Sequence, residues 1–320
     1  MQFLGFLRNW MLPVGMTIGA VSYLTLARID ALVPYRAAIL KGVSAVQPML
    51  LFLMLLLTFC RIRPSDLRLR RWHFTMLLFQ GIGSTLIAAL LSVMPPSPWH
   101  IIGQGAMLCI ICPTATAAVV VTRRLGGDMA SVTTYTILVN LLAALLLPAL
   151  LPWVHDGSGN GFISDLLRIA CHTFPILVMP MIVTSLLRLW APRLVDTLAS
   201  LHDLPFYLWA VSLSLAIAVT TRSIVHSHQV LGFTLGIALV SMLACALQFA
   251  LGHRLGQHEE DTISATQACG QKNTVFIIWV GYTFLSPLTS LAGGFYSIWH
   301  NVYNSYQLYR QAKATAGNQR

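Results

Sequence analysis

Gln267-Ala-Cys-Gly-Gln-Lys-Asn-Thr274 sets a lysine inside an apolar stretch. Lys272 is the one Lys, Arg, Asp or Glu of the chain that cannot be assigned outside a membrane. The ten carboxylates (Asp30, Asp66, Asp128, Asp156, Asp165, Asp196, Asp203, Glu259, Glu260 and Asp261) all read as loop or helix-end residues. A charge at membrane depth costs about 3 kcal/mol or more, so it is rare and in most cases functional. No acidic residue close in sequence neutralises Lys272. Either Lys272 is neutral, or something else supplies negative charge.

Composition sets the class. The 320 residues are 56% hydrophobic and 9% charged, against roughly 25% charged for a soluble domain. The pattern is that of an all-α integral membrane protein. The first apolar stretch contains Pro13 and leads into no small-residue cleavage site, so it reads as a retained span. A net charge of +10 is explained by basic loops that hold a membrane protein in orientation; no nucleic-acid partner is expected. The six cysteines all fall in apolar segments and read as small core residues. Cys109 and Cys112 form a C-x-x-C with no accompanying ligand cluster, so neither metal nor cofactor is expected.

About 20 apolar residues cross the hydrocarbon. Ten candidate spans follow, at 9–27, 43–60, 73–95, 101–122, 129–153, 169–188, 204–222, 230–251, 262–285 and 287–309. Two linkers, Ala31–Leu40 and Leu189–Leu204, look amphipathic and suited to the interface. With the N-terminus inside, the inside segments hold Arg8, Arg61, Arg63, Arg68, Arg70, Arg71, Arg123, Arg124, Arg188, Arg193, Arg254, Arg310, Lys313 and Arg320. The outside segments hold Arg28, Arg36, Lys41, Arg168 and Arg222. Fourteen against five places both termini in the cytoplasm.

The polar loop His155–Gly161 divides the chain into 1–154 and 162–320, five spans each. An odd number per half forces the halves into opposite orientations, as in transporters built from inverted repeats. The fourth span is interrupted at Cys112-Pro-Thr-Ala-Thr116 and the ninth at Ala268–Thr274. Each is the fourth span of its half, and irregular spans at corresponding positions point to a midplane binding site. Pro113 lacks an N–H and clashes with the preceding turn; Gly270 breaks the other helix through conformational freedom. The second half-helices then start near Thr114–Thr116 and Asn273–Thr274. Helix N-termini offer free N–H groups and positive partial charge, which suit an anion.

These stretches resemble the bile acid/sodium symporter family, secondary transporters of organic anions. Cys112-Pro-Thr-Ala-Thr-Ala-Ala-Val119 with Gly127-Asp128 is similar to its fourth and fifth helices. Gly270-Gln-Lys-Asn-Thr274 is similar to its ninth, and Ser297-Ile-Trp-His-Asn301 to its tenth. Gln80 matches a family glutamine in the third span. The resemblance implies a panel domain (spans 1, 2, 6, 7) and a core domain (spans 3–5, 8–10), with the fourth and ninth helices crossing at the site. It implies substrate contacts from Thr114, Ala115, Thr116, Asn273, Thr274, His300 and Asn301.

The departures carry as much as the match. Where sodium-coupled members have a Ser-Asn pair, this chain has Ala118-Val119. Their glutamate before the ninth-helix break corresponds to Ala268, or to Gln267 after a slip of one. Their glutamine before the asparagine is Lys272. Gln80 and Thr136 keep two sodium-ligand positions, and Gln271 supports the same region. The loss of these oxygen ligands predicts no sodium site. The Lys272 ammonium then stands where an ion would, orders the crossing carbonyls and attracts a small organic anion. If it keeps its proton, transport is sodium-independent; if it exchanges one, transport is proton-coupled. The alternatives are a sodium symporter with one surviving site and a non-transporting sensor or scaffold. Further expectations are alternating access, a bacterial inner membrane, and no protein partner beyond the lipid bilayer. His172 and His300 are the other titratable groups at depth, and Gly81, Gly83, Gly293 and Gly294 read as helix-packing positions. With no carboxylate at depth, an enzyme is not expected.

Overall fold

The computed structural model describes residues 2–317 except 63, 64, 66, 96, 156–160, 202 and 227–230. Most of the dividing loop and two counted arginines, Arg63 and Arg320, therefore lie outside the described residues. Among those described there is no sheet, only fourteen α-helices and one 3-10 turn. In lipid the backbone must satisfy its own polar groups, and a helix does so within one segment.

The helices run α1 (Gln2–Arg28), α2 (Arg36–Cys60), α3 (Arg71–Val93), α4 (Pro98–Ile111), α5 (Ala117–Arg124), α6 (Met129–Val154) and α7 (Phe162–Leu177). They continue as α8 (Met179–Trp190), α9 (Pro192–Ser200), α10 (Leu204–His226), α11 (Leu231–Gln257), α12 (Thr262–Gly270), α13 (Thr274–Phe284) and α14 (Leu291–Gly317). α1 packs on α10, and α2 on α8 and α10; α3 packs on α4 and α6; α11 packs on α12, α14 and α4.

Five described segments are long and apolar enough to cross a membrane, and six if a bent pair counts as one. The fourth and ninth of the ten spans expected are in pieces, as their interruptions imply, so a count of long apolar helices does not reach ten. The pieces of the interrupted spans, α4, α5, α12 and α13, have 14, 8, 9 and 11 residues, each too short to span alone. The sixth span bends by 43° between α7 and α8. Pro175 lies in the last turn of α7 and Pro180 in the first of α8; each removes a backbone donor. The first amphipathic linker is the 3-10 turn Asp30–Tyr35 running into α2; the second contains α9. Cys171 is exposed on α7, a correction to its reading as core, while the other five thiols are buried and all six are free. His172 is likewise exposed, with Nδ1 against the Arg168 carbonyl at 2.7 Å.

One loop ties distant elements together. Glu259 accepts the N–H groups of Arg71 (3.0 Å) and Trp72 (2.7 Å) and so caps α3. Asp261, just before α12, accepts from Trp72 Nε1 (3.0 Å) and from the Ser131 hydroxyl (2.6 Å). His73 Nδ1 faces the Arg70 N–H at 3.2 Å and Nε2 faces Ser131 Oγ at 3.2 Å. Since Nδ1 must accept there, the ring proton sits on Nε2 and points at Ser131. Asp128 caps α6 through the N–H groups of Ala130 and Ser131, and its own N–H bonds Ser264 Oγ on α12 at 2.8 Å.

Candidate functional site

The two breaks meet. Thr114 and Lys272 form an isolated antiparallel bridge. The Ala115 N–H donates to the Gln271 carbonyl and the Asn273 N–H to the Pro113 carbonyl, both at 2.8 Å. Thr114 and Lys272 lie between those bonds. In this pairing a residue's own N–H and C=O point away from the partner strand. The two interruptions thus satisfy one another at the inner positions and leave the outward backbone groups of Thr114 and Lys272 for other use.

The helix ends around the crossing are filled by protein donors. The Thr114 hydroxyl donates to the Ala268 carbonyl at 2.7 Å. Tyr296 OH donates to the Gly270 carbonyl at 2.8 Å. Gln248 Nε2 donates to the Cys109 carbonyl (3.0 Å) and to Tyr296 OH (3.2 Å). Gln248 Oε1 accepts from Gln80 Nε2 at 3.4 Å, and Gln80 Oε1 accepts from Tyr135 OH at 2.9 Å. A directional chain therefore runs Tyr135–Gln80–Gln248–Tyr296–Gly270 through α6, α3, α11, α14 and α12, every side chain fully buried. Gln271 donates to Gln267, and Gln267 to Gln307 of α14.

Lys272 is 0% exposed. Its Nζ makes no hydrogen bond to protein. Its electrostatic neighbours are the three buried thiols of Cys269, Cys112 and Cys109, and no carboxylate lies within ion-pair distance among the described residues. The expectation that the ammonium orders the crossing carbonyls is corrected here: N–H and O–H groups hold them. Gly270 also acts differently than expected. It has no positive φ; a Cβ there would lie 2.2 Å from the Phe249 ring, so close packing demands the glycine.

The other predicted residues divide. Asn273 caps α13 by accepting the Phe276 N–H at 3.2 Å, and Thr274 opens that helix, buried. Ala115 and Thr116 are half-buried, and the Thr116 side chain caps nothing. The hydroxyl of Thr114 is engaged. His300 is buried one layer out, its ring edge-on to Tyr296 at 5.8 Å between centroids, with Nδ1 unpartnered. Asn301 turns its amide back to the Ser297 carbonyl at 2.7 Å. Thr136 likewise bonds back to Val132 at 2.8 Å. Ala118, Val119 and Ala268 pack with Tyr135 and Cys269 in one apolar cluster. No group of three or more His, Cys, Asp or Glu suited to a metal occurs among the described residues.

A family model for the SBF-like CPA transporter family (DUF4137) matches residues 17–309. The chain belongs to this family. No curated protein matches it. The family is related to the bile acid/sodium symporters, which places this SBF-like protein among membrane transporters. Several apolar helices of spanning length agree with an integral membrane location.

Sequence reasoning missed Tyr135, Gln248 and Tyr296 as parts of the centre. Gln248 carried a usable signal, an amide within the apolar run Leu243–Leu251, since polar groups at depth are expensive. The tyrosines carried none, because an aromatic in a span is ordinary.

Proposed function

We propose that this SBF-like transporter is a secondary carrier of a small organic anion, working by alternating access without sodium, with the Lys272 ammonium as its fixed positive charge. The observation that carries this reading is the buried, unpartnered Nζ beside two helix N-termini. An uncompensated buried charge is costly, and an anionic substrate at Thr116, Asn273 and Thr274 offsets that cost. The apolar packing of Ala118, Val119 and Ala268 supports sodium independence. So does the engagement of Gln80 and Thr136 within the protein. His300 and Asn301 contribute to the substrate's polar end from α14. The reading includes two inverted repeats, 1–154 and 162–320, panel and core units, and an inner-membrane location with cytoplasmic termini.

The test is a melting series of the wild type and Lys272→Met in detergent, titrated with sodium at constant ionic strength. A ligand that binds the folded state raises its stability. We expect no sodium response from the wild type. We also expect Lys272→Met to be about 2 kcal/mol more stable, because an apolar side chain replaces an unpaired buried charge. In proteoliposomes loaded with a panel of small carboxylates, exchange should occur without a sodium gradient and vanish in Lys272→Met. Sodium stabilisation of the wild type would overturn sodium independence. Absence of any Lys272-dependent exchange would favour a non-transporting sensor.

A further inference from the structure

A second feature lies on the outer face of α3 and α6, and its reading is independent of the transport reading. α3 and α6 flank a groove of ≈ 540 Å³ lined by Phe74, Leu78, Gly81 and Leu86 of α3 and by Leu142 and Leu146 of α6. Its one hydroxyl, on Thr85, donates to the Gly81 carbonyl at 2.7 Å and leaves the groove without a polar demand. Gly81 forms a notch, since a Cβ there would touch only Leu146 at 3.7 Å. From Phe74 to Leu86 the groove runs roughly 18 Å at about 1.5 Å per residue. That slightly exceeds the depth of one leaflet, about 15 Å.

The groove starts one turn inside the basic run Arg68, Arg70, Arg71. Arg68 pairs with Asp128 at 3.5 Å. Arg70 and Arg71 have no ion-pair partner among the described residues. Glu259 takes the N–H groups of Arg71 and Trp72, so an anion is drawn by the guanidinium groups and not by the helix end. Guanidinium binds phosphate in a two-pronged fashion. A long apolar slot whose first lining residue, Phe74, follows Arg70 and Arg71 by one helical turn matches a lipid with an anionic head and a chain of one leaflet's depth. We propose that this groove holds an anionic glycerophospholipid, with one acyl chain along Gly81 and its phosphate on Arg70 and Arg71.

The experiment uses the full-length protein in detergent, with phosphatidylglycerol or phosphatidylcholine of equal chain length added, read by native mass spectrometry and by melting. The wild type should retain phosphatidylglycerol in preference and melt higher with it. Arg70→Gln/Arg71→Gln should cut that preference by about thirtyfold, at roughly 1 kcal/mol of attraction per basic residue. Gly81→Leu should lose both lipids by filling the notch. If Gly81→Leu does not fold, Ile82→Trp serves, since Ile82 is 57% exposed beside the notch and its replacement leaves the core untouched. Equal retention of the two lipids by the wild type overturns the proposal. So does an undiminished preference in the arginine variant, or unchanged lipid retention in the notch variant.

Discussion

Pro113 interrupts the fourth span by its own chemistry, because it has no N–H to give and its ring disrupts the preceding turn. The ninth span has no proline at its break. It is held open from outside, by Thr114 on Ala268, by Tyr296 on Gly270 and by the Phe249 ring against Gly270. Exposure follows the same division. Residues 271–281 are buried throughout, whereas Ala115 and Thr116 are half-buried and Ala117 exposed. The ninth break is encased in protein, and the fourth lies nearer the surface. A pair of similar interruptions can thus differ in what opens them and in how deeply they are buried.

If that contrast is right, damage at the ninth break should exceed damage at the fourth. Gly270→Val drives side-chain carbon into the Phe249 ring and should cost about 3 kcal/mol in denaturant unfolding, with partial recovery in a Phe249→Ala background. Gln248→Leu should follow at about 2 kcal/mol, since it strands the Gln80 amide and the Cys109 carbonyl in a buried place; a full loss of folded protein would show the chain of side chains to be worth more than its pairs. Asn273→Ala removes the α13 cap, and the same unfolding measurement should give about 1 kcal/mol, recovered in large part by Asn273→Asp. Pro113→Ala should shift stability by less than about 1 kcal/mol, because the bonds of Ala115 and Asn273 keep the crossing in place. A Pro113→Ala loss as large as that of Gly270→Val would break the comparison.

Much of this geometry could be read in the residues, and the part that could not has a physical cause. Lys272 stood out because charge at depth is rare, and Pro113 because its backbone defect is local. The family follows from those motifs in its coarser form. Lysine's surroundings were not legible: that Cys109, Cys112 and Cys269 lie beside it depends on how two distant breaks cross. The bend at Val178 was missed because Pro175 and Pro180 interrupt no apolar run. Gly270 was assigned to backbone freedom when the decisive contact comes from Phe249, 21 positions earlier in the chain.

The capping of α3 by Glu259 and the hold of Asp261 on Trp72 and Ser131 have a kinematic meaning. They bolt the root of α12 to α3 and α6, and Asp128 adds a rivet through Ser264. The lysine-bearing break therefore cannot swing by itself; its lever arm is clamped at the base. On the alternating-access reading proposed above, α3, α6 and α12 would move as one plate.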